Sequence, residues 1–154
     1  MPIETNTIGL IALGVSIALV TWVIIIFNKL RRADVGAEEA LGGINVQLTR
    51  RADLIPNLVT TVKAYAEHER GVLEKVTEAR AGVTQAAANG SIAEKAASEA
   101  ALSKALVDVM AVVEAYPDLK ASENFKQLQT DLKDTEDKLA FARQYYNDAV
   151  RILN

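Results

Sequence analysis

The sequence predicts an all-α protein: a single N-terminal transmembrane helix followed by a long antiparallel helical bundle. Three observations carry that reading. An uncharged apolar stretch of about 20 residues stands near the N-terminus, apolar residues recur three and four apart over most of the remainder, and nothing alternates with period two between turn residues. Half of the 154 residues are hydrophobic but only 5% are aromatic, so the core of the bundle has to be aliphatic.

The anchor comes first. Residues 8–27 (IGLIALGVSIALVTWVIIIF) carry no charge, and as a helix at 1.5 Å per residue they reach roughly 30 Å, the hydrocarbon thickness of a bilayer. A cleaved signal peptide calls for a basic leader, a shorter apolar core and a small-residue cleavage site, none of which MPIETNT or NKLRRAD supplies. The span, bounded by Ile8 and Phe27, therefore reads as retained. Lys29, Arg31 and Arg32 follow it, whereas the leading flank has Glu4 and no basic residue. The positive-inside rule then predicts a single-pass membrane protein with its C-terminal domain in the cytoplasm. Trp22 reads equally as an interfacial anchor or as a lipid-facing apolar residue. Gly14 and Ala18 have the small-xxx-small spacing that admits a second membrane helix, although small residues are common in such spans. The organisation expected is a short extracytoplasmic N-terminus (1–7), the transmembrane helix (8–27), a juxtamembrane helical segment (28–53) and the bundle domain (54–154).

Beyond the anchor, Leu54, Leu58, Val62, Tyr65, Val72, Val76 and Val83 outline one apolar face, interrupted where Glu69 takes a turn. Asn89 and Gly90 tolerate the left-handed backbone of a helix C-cap and should end that segment. Ser91 with Glu94 forms an S-x-x-E capping box, which predicts a second helix carrying Leu102, Leu106, Val109 and Val113 and stopping before Pro117. Ser122 can cap a third. From Phe125 through Leu128, Leu132, Thr135, Leu139, Ala142, Tyr146, Ala149 and Leu153 the spacing is regular, the seam of a coiled coil or helical bundle. The Ala-rich stretches either let helices approach closely or lie on a thinly covered surface.

Three strings carry a family resemblance: VQLTRRADLIPNLVTTVKAYAEHER at 46–70, VTEAR at 76–80, and EAYPDLKASENFKQLQTDLKDTEDKLAFARQYYNDAV at 114–150. With them the chain resembles the LemA family of bacterial membrane proteins over nearly its whole length. The resemblance implies an N-terminal transmembrane helix, a helical bundle and no accepted enzymatic activity. It also implies two kinds of company: membrane metalloproteases of the HtpX type beside which members occur, and one relative that takes part in magnetosome membrane formation. The family positions matched here are Gln47, Arg50, Arg51, Asp53, Pro56 and Asn57 in the first string. Tyr116, Pro117, Leu119 and Phe125 mark the turn, and Arg143, Tyr146 and Asn147 the last helix. Family members usually run on past position 154 through a Phe-Pro-containing segment, whereas this sequence ends at RILN.

Pro56 interrupts a helical pattern, which costs about 3 kcal/mol unless something compensates. Either Asp53 caps a fresh helix with Pro56 in its first turn, or a continuous helix kinks there and leaves the carbonyl of Ala52 open to a neighbour. The uninterrupted apolar spacing favours the kink. Arg50, Arg51, Asp53 and Asn57 then form a polar group beside it, read either as a partner contact or as local satisfaction of a bent backbone.

Chemistry is harder to find. His68 is the sole histidine, and a zinc protease would want a second at position 72, which is Val72. Asp131, Asp134, Glu136 and Asp137 are interleaved with lysines, as on a solvated helix face. No nucleophile elbow or phosphate loop is present, no cofactor is implied, and a net charge of −3 with interleaved signs disfavours nucleic acid. The expected function is a non-enzymatic membrane scaffold that forms homo-oligomers and organises or shapes the inner membrane, with membrane lipid as its surroundings. The alternative is an adaptor or regulator of a membrane protease of the HtpX type, motivated by the family's company. A hydrolase or metal enzyme is disfavoured.

Overall fold

In a computed structural model, which describes the backbone of residues 3–153 and the side chains of residues 7–153, the chain is all-α. The helices are α1 (Ile3–Lys63), α2 (Arg70–Asn89), α3 (Ile92–Glu114), the short α4 (Pro117–Ala121) and α5 (Glu123–Leu153), with no strand among the described residues. The acidic flank at Glu4 lies outside the described side chains. Two compact units result: Met1–Glu39 with Tyr145–Asn154, and Ala40–Gln144.

In the first unit, α1 supplies the stretch that is long and apolar enough to cross a membrane, and its side chains are exposed from Ile8 through Leu30. Trp22 and Phe27 are 60% and 68% exposed, open to whatever surrounds the helix. Next to this stretch, Gly36 of α1 meets α5: a Cβ there would stand 3.4 Å from the Tyr145 hydroxyl and 3.9 Å from the Ala149 methyl.

The second unit is the bundle. Along α1 the residues Ile44, Leu48, Ile55, Leu58 and Val62 are buried, three, four or seven apart, as are the stripes Leu73, Val76 and Val83 of α2 and Leu102, Leu106, Val109 and Val113 of α3. The α5 seam is as the spacing predicts, with Phe125, Leu128, Leu132, Thr135 and Leu139 all buried. Pairings between α1 and α5 run in opposite directions, Gly43 beside Ala142 and Arg51 beside Glu136, so the two helices are antiparallel. α2 packs against α3. Of the alanines in α3, Ala96, Ala97, Ala100 and Ala101 are exposed, so that stretch is the thinly covered surface rather than a close helix contact.

Local chemistry sets the remaining boundaries. Ser91 caps α3 with the predicted reciprocal pair: its hydroxyl accepts from Glu94 N at 3.2 Å and its own N–H donates to Glu94 Oε2 at 2.7 Å. Pro117 opens α4 at its first position, where a missing N–H costs nothing.

Of the two readings of Pro56, the restart at Asp53 is excluded, because α1 continues as one helix through the proline. Two expectations are corrected. The apolar face expected from Leu54 to Val83 is split instead at residues 64–69, a turn without Gly or Pro whose donors reach back: Ala66 N to Val62 O at 2.9 Å and Leu73 N to Glu69 O at 3.2 Å. Packing decides this turn, since Ala66 is buried there while Tyr65 and His68 face outward. Gly90 ends α2 in extended backbone (φ −78°, ψ 150°), not left-handed; glycine suits it because a Cβ would lie 2.6 Å from the Ala86 carbonyl oxygen.

Candidate functional site

Arg51, Arg80 and Glu99 each occupy a position of a buried seam where an aliphatic residue would be ordinary. On α1 the sequence of seam positions is 44, 48, 51, 55, 58 and 62, and on α3 it is 95, 99, 102, 106, 109 and 113. Charges placed there are desolvated and must be paired.

Arg51 and Glu99 are paired with one another, and Arg80 is satisfied by a backbone carbonyl. Arg51 Nη1 donates to Glu99 Oε1 at 3.0 Å, and Arg143 Nη2 from α5 donates to the other carboxylate oxygen of Glu99. Ser103, one turn along α3, adds its hydroxyl to Glu99 Oε1 at 3.0 Å. Glu136 Oε2 lies 2.7 Å from Arg51 Nη1, an ion pair whose angles do not make a hydrogen bond. Two guanidiniums therefore balance two carboxylates at a point where α1, α3 and α5 meet. Burial pushes the Glu99 carboxyl upward, but the hydrogen bond and charge of Arg143, the Ser103 hydroxyl and the Arg51 charge outweigh it and hold the group below the usual carboxylate range. Lys95, one turn before Glu99, is also buried.

One turn along α1, the proline finds its compensation. Pro56 has no N–H for the carbonyl of Ala52, and Arg80 Nε of α2 donates to that oxygen at 2.9 Å. A guanidinium thus replaces the missing backbone donor, and α1 can stay helical through the proline. This is the neighbour that the kinked-helix reading required for the Ala52 carbonyl.

The residues singled out from sequence separate. Arg51 turns inward, Arg50 is exposed and stands 3.9 Å from Asp134, and Asp53, Pro56 and Asn57 are exposed, so the four polar residues do not form one compact group. Gln47 is half-buried, and its side-chain oxygen lacks a hydrogen-bond partner. In the turn motif Leu119 and Phe125 are core residues, while Tyr116 donates its hydroxyl to Glu69 Oε1 at 3.4 Å, beside the turn that follows α1. Arg143 joins the buried cluster, Tyr146 is half-buried, and Asn147 is exposed. In the other unit Lys29 and Arg32 are exposed, Arg31 pairs with Asp34 at 2.9 Å, and Gly14 has open space around it. Sequence reasoning missed Arg80 and Glu99, and it placed Glu136 on a solvated face, whereas Glu136 is half-buried because it pairs with Arg51. For Arg80 and Glu99 the signal was available: each is a charge standing in register with aliphatic seam positions.

The family profile described as the LemA family matches residues 40–154. The chain belongs to the LemA family. That match takes in the bundle, including Arg51, Pro56, Arg80, Glu99 and Arg143. Among curated relatives, the magnetosome protein MamQ of Magnetospirillum gryphiswaldense is 23% identical over 90% of this chain and 59% of its own. Magnetosome proteins MamQ 1 and MamQ 2 of Paramagnetospirillum magneticum are each 26% identical over 71% of this chain and 48% of theirs. The chain spans about half the length of the curated relatives it matches. Neither the family's description nor the relatives' names denote an enzyme, and a membrane-associated helical protein fits both.

Proposed function

We propose that this LemA-family protein is a non-enzymatic scaffold, anchored by its N-terminal helix in the bacterial inner membrane with the bundle on the cytoplasmic side, that self-associates and organises or shapes that membrane. The observation that carries the reading is Phe141. It is 73% exposed on α5, the most exposed large apolar side chain among the described residues, in a bundle whose seam is otherwise buried. Val46 on α1 and Val107 on α3 are likewise exposed, 61% and 66%. Chains held by one end in a common plane meet at high effective concentration, so modest apolar contacts suffice for assembly. Relatives named as magnetosome proteins accord with the part in membrane formation that the family resemblance implies for one member.

The test is mass photometry, backed by electron microscopy, on protein extracted gently from its native membrane. A discrete large homomeric particle is expected, and Phe141→Asp should reduce its size without altering the melting of the bundle. A monomer at every concentration overturns the scaffold, and a one-to-one complex with a membrane metalloprotease replaces it with the adaptor.

A further inference from the structure

The first unit has two grooves where the end of α5 lies along α1, and they differ in charge. In one, Trp22, Phe27 and Leu153 surround Arg31, but that guanidinium is already engaged by Asp34 at 2.9 Å. The other is a cleft of about 570 Å³ between Ile25, Lys29 and Arg32 of α1 and Tyr145 and Ile152 of α5. Lys29 and Arg32 have no ion-pair partner among the described residues, and the one carboxylate in the cleft, Asp148, is paired with Arg151 at 3.4 Å. The cleft therefore offers two uncompensated cations and a phenol hydroxyl beside an apolar wall.

Depth along α1 orders these groups. From Ile25 to Arg32 the helix rises about 10 Å, the distance from acyl chain to headgroup at the edge of a bilayer. Ile25 belongs to the apolar stretch and Ile152 lies against it from α5, so an acyl chain would run along these two. A phosphate would meet Lys29 and Arg32 one and two turns further on. Gly36 completes the cleft by leaving room for the Tyr145 hydroxyl, which a Cβ would meet at 3.4 Å.

We infer that this cleft is a binding site for a single anionic phospholipid, its phosphate held by Lys29, Arg32 and Tyr145 and one acyl chain lying on Ile25 and Ile152. The inference rests on the membrane anchoring of α1 but not on self-association, so a monomer can satisfy it. Occupancy would tie the end of α5 to the membrane surface through the lipid.

The test reconstitutes the full chain into vesicles of mixed phosphatidylglycerol and phosphatidylcholine, equal in both leaflets so that orientation is immaterial. The lipids retained after mild detergent extraction are then counted by native mass spectrometry. Wild type should retain phosphatidylglycerol selectively, and Lys29→Gln with Arg32→Gln should lower that selectivity by about fivefold for each charge removed. Ile152→Glu, at a half-exposed position, should abolish it while leaving every basic residue in place. Arg31→Gln should leave it unchanged. Selectivity that survives the double variant, or that falls equally in Arg31→Gln, overturns the site in favour of a general surface potential. Displacement of the lipid by inorganic phosphate alone overturns the acyl-chain half of the assignment.

Discussion

One helix carries two apolar populations under opposite rules. Between Ile8 and Leu30, α1 shows its Ile, Leu and Val residues to the outside on every face; in the bundle, the same residue types at Ile44, Leu48, Ile55, Leu58 and Val62 are at most 8% exposed. What differs is the company they keep around the helix. Apolar residues on all faces can be satisfied only by a surrounding apolar medium, whereas a single stripe needs other helices and leaves the remaining faces for water. Charge follows the same division: the anchor admits none, while the bundle takes Arg51 and Glu99 into its interior because helices α3 and α5 bring partners to them.

Changes in each region should break it by its own rule. The largest effect is expected from Glu99→Ala, which removes the carboxylate shared by Arg51 and Arg143, leaves two guanidiniums to Glu136 alone, and should cost about 3–5 kcal/mol in urea or thermal unfolding of the bundle. The same carboxyl predicts a pH dependence. Because its folded pKa lies below the ordinary value of about 4.3, its contribution is fully present above that value and is lost as pH falls through the lowered one. Wild type should therefore lose stability on acidification in that window, and Glu99→Gln, less stable at neutral pH, should show a flatter acid limb. In the anchor, Ile17→Asp should cost about 2.5–3.5 kcal/mol of insertion, read as the membrane-integrated fraction, with the melting of the bundle unchanged. A matching loss in bundle stability would show that the two populations are not independent.

Arg80→Met should cost about 1–3 kcal/mol, because it leaves the Ala52 carbonyl buried without a donor. That cost should shrink in a Pro56→Ala background, where residue 56 regains its own N–H, so a double-mutant cycle reads the compensation directly. Equal costs in both backgrounds would mean that Arg80 acts by packing alone. The smallest effect is expected from Ser91→Ala, about 1 kcal/mol from the lost cap of α3.

Much of this was legible from the chain. The anchor follows from composition, the α5 seam from spacing, and the start of α3 from two residues, because each depends on neighbours in sequence. The turn at residues 64–69 was not, since Ala64, Ala66 and Glu67 all suit a helix and only burial of Ala66 against the bundle decides otherwise. The ionic cluster was half legible. A charge in seam register can be seen in one helix, but its partner lies 48 residues away for Arg51 and 44 for Arg143, and only the fold supplies it. Pro56 shows the same division: the sequence exposes the vacant carbonyl, and tertiary structure names the donor.

That vacancy has a consequence for synthesis. A chain made from its N-terminus presents the Ala52 acceptor 28 residues before the Arg80 donor exists. During that interval the segment around Pro56 is a helix with a gap in its ladder, free to bend. Closure comes only when α2 folds back and delivers its guanidinium, so the pairing of the Ala52 carbonyl reports that the first helical hairpin has docked in register.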